Sequence, residues 1–352
     1  MKSRRSTPTT PATLPATPAR PLNLAAIRGH DHIIHRLRQA LTSGRMGSAY
    51  LLGGPRGIGK AALAQAFAAF ALCKQPHDDD ACGTCNQCVR LAAGTHPDLQ
   101  VLARDPERRD IGVEAARGVT RWLSLRPLMA NRKVVIVDGA ETLSVPAQNA
   151  LLKSVEEPPG QAVILLLATT ATLLLPTIRS RCQLLRLEPL PDDAVSAILT
   201  AHDIPAERIA LLAARAEGSP GRALELANEP EDGIRQMMLT ALPQLRERST
   251  AELSALAQKI GPDADAALAI ILGWYRDALG IALGVDAQPR RNPDAAVALQ
   301  ALAAHQPPPQ MLRALQIVCA TIDDVGHNAN RQLALETMLF DIRDLERGTL
   351  HE

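Results

Sequence analysis

The segment Gly54–Ala61 reads GPRGIGKA and has the spacing of a loop that binds nucleotide phosphates. It follows an apolar run and opens a helical stretch, which is the context that such a loop requires. Gly54, Gly57 and Gly59 let the backbone amides curl around a phosphate, and the helix N-terminus favours the anion. Lys60 would reach the terminal phosphates. The sequence therefore predicts a P-loop.

The residues that hydrolyse a nucleotide are incomplete. Ala61 stands where P-loop enzymes have a Ser or Thr that helps to hold Mg²⁺. Asp138 ends the apolar run KVVIVD and supplies the acidic residue, but Gly139 follows where ATPases of this design have a Glu that polarises water. Glu141 comes three residues after Asp138, and we expect it to point elsewhere. Little or no hydrolysis by this chain alone is predicted, and nucleotide binding is left open.

A second group of reactive residues is a cysteine cluster with the spacing C-x8-C-x2-C-x2-C: Cys73, Cys82, Cys85 and Cys88. Four thiolates with two-residue gaps suit tetrahedral Zn²⁺, and four protein ligands make a closed, structural site. Free thiols and a disulfide pair are the alternatives, and His77 could replace one thiolate. Metal is favoured over a disulfide in a cytosolic chain. Cys319 is expected to be a small buried apolar residue in its helix.

The elements that must position these residues alternate along the chain. Apolar runs are separated by the helical stretches Lys60–Leu72, Val113–Leu125 and Pro146–Glu156. The runs occupy Ser48–Gly53, Asp98–Ala103, Lys133–Asp138, Ala162–Thr169 and Cys182–Leu187. This alternation predicts an α/β fold, with a parallel sheet between helices. The run VILLLATT is apolar on both faces, as is typical of a central strand.

The chain divides into four parts by composition. Residues 1–22 are rich in Pro and Thr and predict a disordered tail. Residues 23–188 form the P-loop α/β domain, with the zinc-binding insert at 73–88. The two prolines of EPLPDD mark a linker, after which 189–228 form a small helical domain. The sequence of 229–352 has helical patterns throughout and predicts an all-helical domain of about six helices.

Composition excludes several classes of protein. The 352 residues carry 38 basic and 37 acidic side chains, so any contact with DNA must come from a local patch. No run of 18 apolar residues is present, and no apolar segment follows the basic N-terminus, so we expect a cytoplasmic protein. Aromatic residues make up only 2%, so the core must rely on Leu, Ala, Val and Ile.

Several segments in a fixed order carry a resemblance to a known family. They are GPRGIGKAALA, the four-cysteine insert, GTHPDL, IGVEAARGVTRWLSLRP, VVIVDGAETLSVPAQNALLKSVEEPP and LPTIRSRC. From about residue 24 to the C-terminus the chain resembles the delta-prime subunits of the bacterial DNA polymerase III clamp loader, which are AAA+ proteins. The resemblance implies a subunit that helps to load the sliding clamp onto primed DNA. Its implied partners are the tau/gamma and delta subunits, joined through the C-terminal helical (collar) domain, together with the clamp and primer–template DNA.

The resemblance also assigns roles to individual residues. Delta-prime subunits often have degraded nucleotide sites, to which Thr169 would belong, and motor subunits have Arg in the segment GSPGRAL where Gly221 stands here. Arg181, in the motif Ser-Arg-Cys, would reach into a neighbouring subunit's ATP site as an arginine finger. From the residues alone, an ordinary surface arginine is the alternative.

Arg117 and Arg121 lie one helical turn apart in the stretch Val113–Leu125, so they share a face. In the family this helix faces duplex phosphates. A solvated basic face is the alternative reading, and the sequence leaves the choice open.

Two other functions are weighed against this one. A tau/gamma-like ATPase is disfavoured by Ala61 and Gly139. A zinc-dependent DNA-binding module with a vestigial P-loop would need aromatic or basic residues beside the cysteines, but KQPHDDDACGTCNQCVR is acidic and free of aromatics.

Overall fold

The computed structural model describes residues 22–228, 233–285, 291–326 and 329–349. The predicted disordered tail lies, apart from Leu22, outside these residues. Five strands are present in the described part of the chain: β1 (Ala49–Gly53), β2 (Leu99–Ala103), β3 (Val134–Asp138), β4 (Val163–Ala168) and β5 (Gln183–Arg186). Each of them falls within one of the five predicted apolar runs.

In the part of the chain that the structure describes, the first nine α-helices are α1 (Asp31–Thr42), α2 (Lys60–Leu72), α3 (Asn86–Ala92), α4 (Val113–Ser124), α5 (Val145–Glu156), α6 (Pro176–Arg179), α7 (Asp192–Ala201), α8 (Ala206–Ala216) and α9 (Pro220–Asn228). The remaining six are α10 (Gly233–Ala241), α11 (Thr250–Ile260), α12 (Ala264–Ala282), α13 (Ala296–His305), α14 (Pro308–Gly326) and α15 (Arg331–Arg347). Short 3-10 helices lie at Leu24–Ala26, Ala140–Thr142, Ala171–Leu173, Leu242–Glu247, Gly261–Asp263 and Pro293–Ala295.

The five strands form one parallel sheet in the order β2-β3-β4-β1-β5. β4 is central and all six of its residues are buried, as its continuous apolar sequence predicts. Helices cover both faces. Tyr50 and Leu52 of β1 share a core with α1, α2 and α3, whereas Ala49 and Leu51 share one with α4, α5 and α6. The carboxyl ends of β1, β3 and β4 therefore meet at one edge, where the P-loop follows β1, Asp138 ends β3 and Thr169 follows β4.

The described chain separates into two compact units. The first comprises residues up to Ala194 together with Ser219–Arg222, and the second comprises Val195–Gly218 and the residues from Ala223 onward. The predicted boundaries at 188/189 and 228/229 stay a prediction, as does the separate small helical domain. Residues 189–228 contain three helices, α7, α8 and α9.

Among the described residues of the second unit, the regular elements are all helices, and α10–α15 agree with the prediction of about six helices. Its core includes the buried ring of Trp274 and that of Tyr275, whose hydroxyl donates a 2.5 Å hydrogen bond to Glu346 Oε1. Cys319 in α14 is exposed, so the prediction that it is buried was wrong: its position falls on the outer face of the helix. Among the described residues, no helix has the length and apolar character needed to cross a membrane.

Candidate functional site

The predicted P-loop lies between β1 and α2, and α2 begins at Lys60. Gly57 and Gly59 have φ of +75° and +105°, which side chains other than glycine rarely adopt. Lys60 Nζ donates to the carbonyl oxygens of Gly54 at 2.6 Å and Pro55 at 2.8 Å. Burial lowers the pKa of Lys60, and the carboxylates of Glu141 and Asp138 act against that decrease. The lysine therefore bonds to the loop itself.

The carbonyl groups of the three residues after Pro55 are also bonded. The hydroxyl of Ser219 donates to the first at 2.8 Å, and the backbone N–H of Gly221 donates to the second at 2.8 Å. The ring Nε2 of His30 lies at 3.3 Å from the third. Five consecutive carbonyls, from Gly54 to Ile58, thus have protein partners. The shape of this loop is fixed by the chain's own donors.

Gly221 approaches the P-loop so closely that only glycine fits. A Cβ atom at this position would lie 2.7 Å from Gly57 Cα and 2.9 Å from Gly57 O. Real Cβ contacts of this length are not observed, so any side chain would push the two segments apart. The sequence marked Gly221 only as a missing arginine. The structure gives a positive reason for glycine there, which is the close backbone contact.

We expect Gly221→Ala to destabilise the first unit by about 1–3 kcal/mol, because overpacking costs that much. For a unit of this size the midpoint of thermal unfolding should fall by roughly 2–4 °C per kcal/mol. Gly118→Ala is the matched control, because it lies inside α4 with nothing within 4 Å of the added Cβ. That variant should unfold no earlier than the wild-type chain. Equal midpoints for Gly221→Ala and the wild type would contradict the close contact.

The residues at the positions that serve hydrolysis in P-loop enzymes lie at the same edge of the sheet as the P-loop. Asp138 is the last residue of β3, and Ala61 lies in the first turn of α2 with no hydroxyl to offer a metal. The prediction that Glu141 points elsewhere was wrong. Its Oε1 accepts a 3.1 Å hydrogen bond from the backbone N–H of Thr169, and it is close enough to influence the charge of Lys60. The 3-10 turn at Ala140–Thr142, rather than a longer helix, brings Glu141 back toward the loop.

The four cysteines of the insert come together. Their sulfur atoms all lie within 4.8 Å of one another. Four of the distances are 3.6 Å (Cys73–Cys82), 3.9 Å (Cys73–Cys85), 3.9 Å (Cys82–Cys88) and 3.6 Å (Cys85–Cys88). Four sulfurs placed tetrahedrally at about 2.3 Å from one Zn²⁺ would be about 3.8 Å apart. The cluster therefore has the size of a tetrathiolate metal site and can hold a metal ion.

The surrounding backbone explains this geometry. Cys73 directly follows α2 and Cys85 directly precedes α3, so two helix ends hold the cluster. Gly83 turns the chain between them with φ of +72°. Backbone N–H groups of Cys85 and Thr84 lower the pKa of the Cys82 thiol to about 6, whereas burial raises the pKa of the Cys73 and Cys88 thiols.

Arg181 lies where the short helix α6 leads into the edge strand β5, as predicted. Its side chain is 39% exposed. Nη1 donates to Thr177 O at 2.9 Å, and Nε forms an ion pair with Glu156 Oε1. Burial raises the pKa of the neighbouring Cys182 thiol to about 11, so this thiol is uncharged at neutral pH.

The two arginines of α4 are exposed on its surface. Arg117 pairs with Glu114 at 2.7 Å, one turn away in the same helix. Arg121 lies in the last turn. Both sequence-based interpretations of Arg117 and Arg121, a DNA contact and a solvated basic face, therefore stand as before.

Comparison with known proteins supplies the family. Residues 29–191 match the family described as "DNA polymerase III, delta subunit", and residues 231–344 match its C-terminal part. The chain is 40% identical over 237 residues to the DNA polymerase III subunit delta' of Pseudomonas aeruginosa, covering 66% of this chain and 71% of that protein. It is 37% identical over 209 residues to the delta' subunit of Escherichia coli, covering 59% and 62%. A gamma subunit-related protein of Thermotoga maritima, 21% identical, aligns with a TM-score of 0.48 over 88% of this chain and 99% of that one.

A parallel sheet with a P-loop at its carboxyl edge, followed by helices, gives the P-loop α/β fold expected of the AAA+ class. Within that class, the 40% identity to the Pseudomonas aeruginosa protein, over more than two thirds of its length, identifies the family. The chain belongs to the delta' subunits of DNA polymerase III, and the predicted family and clamp-loader role are confirmed.

Proposed function

We propose that this clamp-loader subunit places Arg181 in the ATP site of a neighbouring tau/gamma-type subunit and does not hydrolyse ATP itself. The observation that carries the proposal is the position of Arg181. Its backbone is fixed between α6 and an edge strand, and its guanidinium is partly exposed. A finger of this kind neutralises charge that develops on the transferring phosphoryl group.

The chain's own nucleotide site supports the second half of the proposal. Ala61 offers no oxygen for Mg²⁺, and Gly139 offers no carboxylate beside Asp138. Lys60 is bonded to two carbonyls of its own loop. A fixed P-loop suits a subunit whose shape does not depend on nucleotide turnover.

The cysteine cluster supports a structural Zn²⁺. Cys73, Cys82, Cys85 and Cys88 would supply four thiolates, which is the full tetrahedral set and leaves no open position for a substrate. When bound, the ion would cross-link the end of α2 to the start of α3. Its role in this proposal is to hold the insert in place.

Family membership supports the partners. The chain would assemble with tau/gamma and delta subunits, act on the sliding clamp, and meet primer–template DNA through that assembly. A cytoplasmic location fits this role.

We expect the isolated chain to hydrolyse ATP at the background rate, far below the roughly 1 per second of ordinary enzymes. Ala61→Ser should not create an ATPase, because Gly139 still leaves the attacking water without a base. The measurement is phosphate release by the purified chain, alone and with tau/gamma and delta subunits. Turnover near 1 per second by the isolated chain would overturn the proposal.

A second candidate, an active ATPase, is favoured by one observation. Glu141 lies at Thr169 and influences Lys60, so a carboxylate is present at the site despite Gly139. If the isolated chain turned over ATP and Glu141→Gln abolished that turnover, Glu141 would be its base. Background rates for both proteins would exclude the candidate.

A further inference from the structure

The guanidinium of Arg181 is held at two points by its own chain. Nε pairs with the carboxylate of Glu156, and Nη1 donates to the carbonyl of Thr177. An arginine has five N–H groups in one plane, so two are used and three, on Nη1 and Nη2, remain. Both side chains of the pair are partly exposed, 39% for Arg181 and 42% for Glu156. The ion pair is therefore partly accessible to solvent.

The position of Glu156 is not explained by the stability of its helix. It is the last residue of α5, where the helix dipole is negative and a carboxylate is unfavourable. Exposed ion pairs contribute little to folding. Neither the helix dipole nor the stability of the ion pair therefore explains a carboxylate at this position. Its contact with the guanidinium of Arg181 does.

The effect of a carboxylate on Nε is to fix the plane of the guanidinium. An exposed arginine samples many rotamers, and ordering it at the moment of reaction costs free energy. With Nε and Nη1 already bonded, the plane of the guanidinium is fixed, and the remaining N–H groups keep their directions. Two such donors match a pair of phosphate oxygens.

We propose that Glu156 is a positioning residue for the Arg181 finger, holding its guanidinium so that the remaining N–H groups meet the phosphates of the neighbouring subunit's ATP. This rests on the proposed function of Arg181. Glu156 does not touch the nucleotide. It acts by reducing the disorder of the group that does.

The test uses a reconstituted clamp loader in which the ATP site next to this chain is the only one left competent. Glu156→Ala should lower kcat for ATP about 10-fold, since loss of orientation costs rates of this order or more. KM for ATP should change little, because the finger acts on the transition state. Glu156→Gln keeps an acceptor for Nε–H and should lose only about 3-fold, because a neutral hydrogen bond is roughly half as strong.

Glu157→Ala is the matched control, because this adjacent exposed glutamate belongs to the same chain turn and is not the ion-pair partner of Arg181. It should behave like the wild type. Co-elution of each variant with its partner subunits checks assembly, and the Gln variant keeps the test open if the Ala variant fails to assemble.

The double variant separates the two proposals. Glu156→Ala should have no further effect when Arg181 is already Ala. If Arg181→Ala alone leaves ATP turnover unchanged, the finger itself is wrong. If Arg181→Ala lowers turnover but Glu156→Ala leaves it equal or raises it, the finger stands and the positioning role of Glu156 is overturned.

Discussion

Arg181→Ala should lower ATP turnover at the neighbouring site by about 10³-fold or more, the range measured for arginine fingers in GTPases. A clamp loader has several ATP sites and one of them would use this residue, so total ATP turnover should fall only in part. Clamp loading should fall much further, because opening and release of the clamp need the sites to act together. The measurement is clamp- and DNA-stimulated ATPase, with clamp loading, for complexes rebuilt with each variant.

The variants separate a finger from an ordinary surface charge. Arg181→Ala should fold and assemble, because its side chain is partly exposed and contributes little to the core. Arg181→Lys should rescue poorly, since a point charge cannot replace a planar set of donors. Arg186 is an exposed arginine at the end of β5, and complexes with Arg186→Ala should load clamps normally. If Arg181→Ala complexes load clamps at the wild-type rate, Arg181 does not act in a neighbouring subunit's ATP site.

The sheet and its P-loop were predictable because each depends on local sequence. A parallel strand buried on both faces must be apolar along its whole length, and β4 is the example, with all six residues buried. The P-loop needs glycines at fixed spacing before a helix, and α2 begins at Lys60 as predicted. The cysteine cluster could also be predicted from the sequence, because short loops bring its thiols together whatever the rest of the fold is.

What the sequence did not predict depends on contacts between distant residues. Ser219 and Gly221 bond to the P-loop from more than 150 positions away, and spacing carries no signal for such a contact. Glu141 was placed by assuming a helix, whereas a 3-10 turn directs it to Thr169. Glu156 would have been found by asking why a carboxylate ends α5, which is a question about position rather than motif.

Cys85→Ser should remove the metal from the purified chain, which we expect to hold about one Zn²⁺ as isolated. The site closes a loop between Cys73 and Cys88, and closing a loop of about 15 residues removes roughly 3 kcal/mol of chain entropy from the unfolded state. Thermal unfolding of the first unit should therefore begin about 6–12 °C earlier. Cys319→Ser is the control, because that thiol is exposed in α14 and outside the cluster.

The effect should also reach the N-terminal segment, for a reason found in the same insert. Asp80 is buried, and its carboxylate accepts hydrogen bonds from the backbone N–H groups of Leu24 at 2.9 Å and Ala25 at 2.8 Å. It also pairs with Arg38 of α1 at 3.1 Å. Once the metal is lost, the insert can no longer hold Asp80 in place, and its three partners lose their acceptor. Hydrogen exchange should then rise at residues 22–27 as well as at 73–92 in Cys85→Ser, but not in Cys319→Ser. Absence of zinc from the purified wild-type chain, together with unchanged exchange in Cys85→Ser, would show that the cysteines are free thiols. Faster exchange confined to 73–92 would show that Asp80 holds the N-terminal segment without help from the metal.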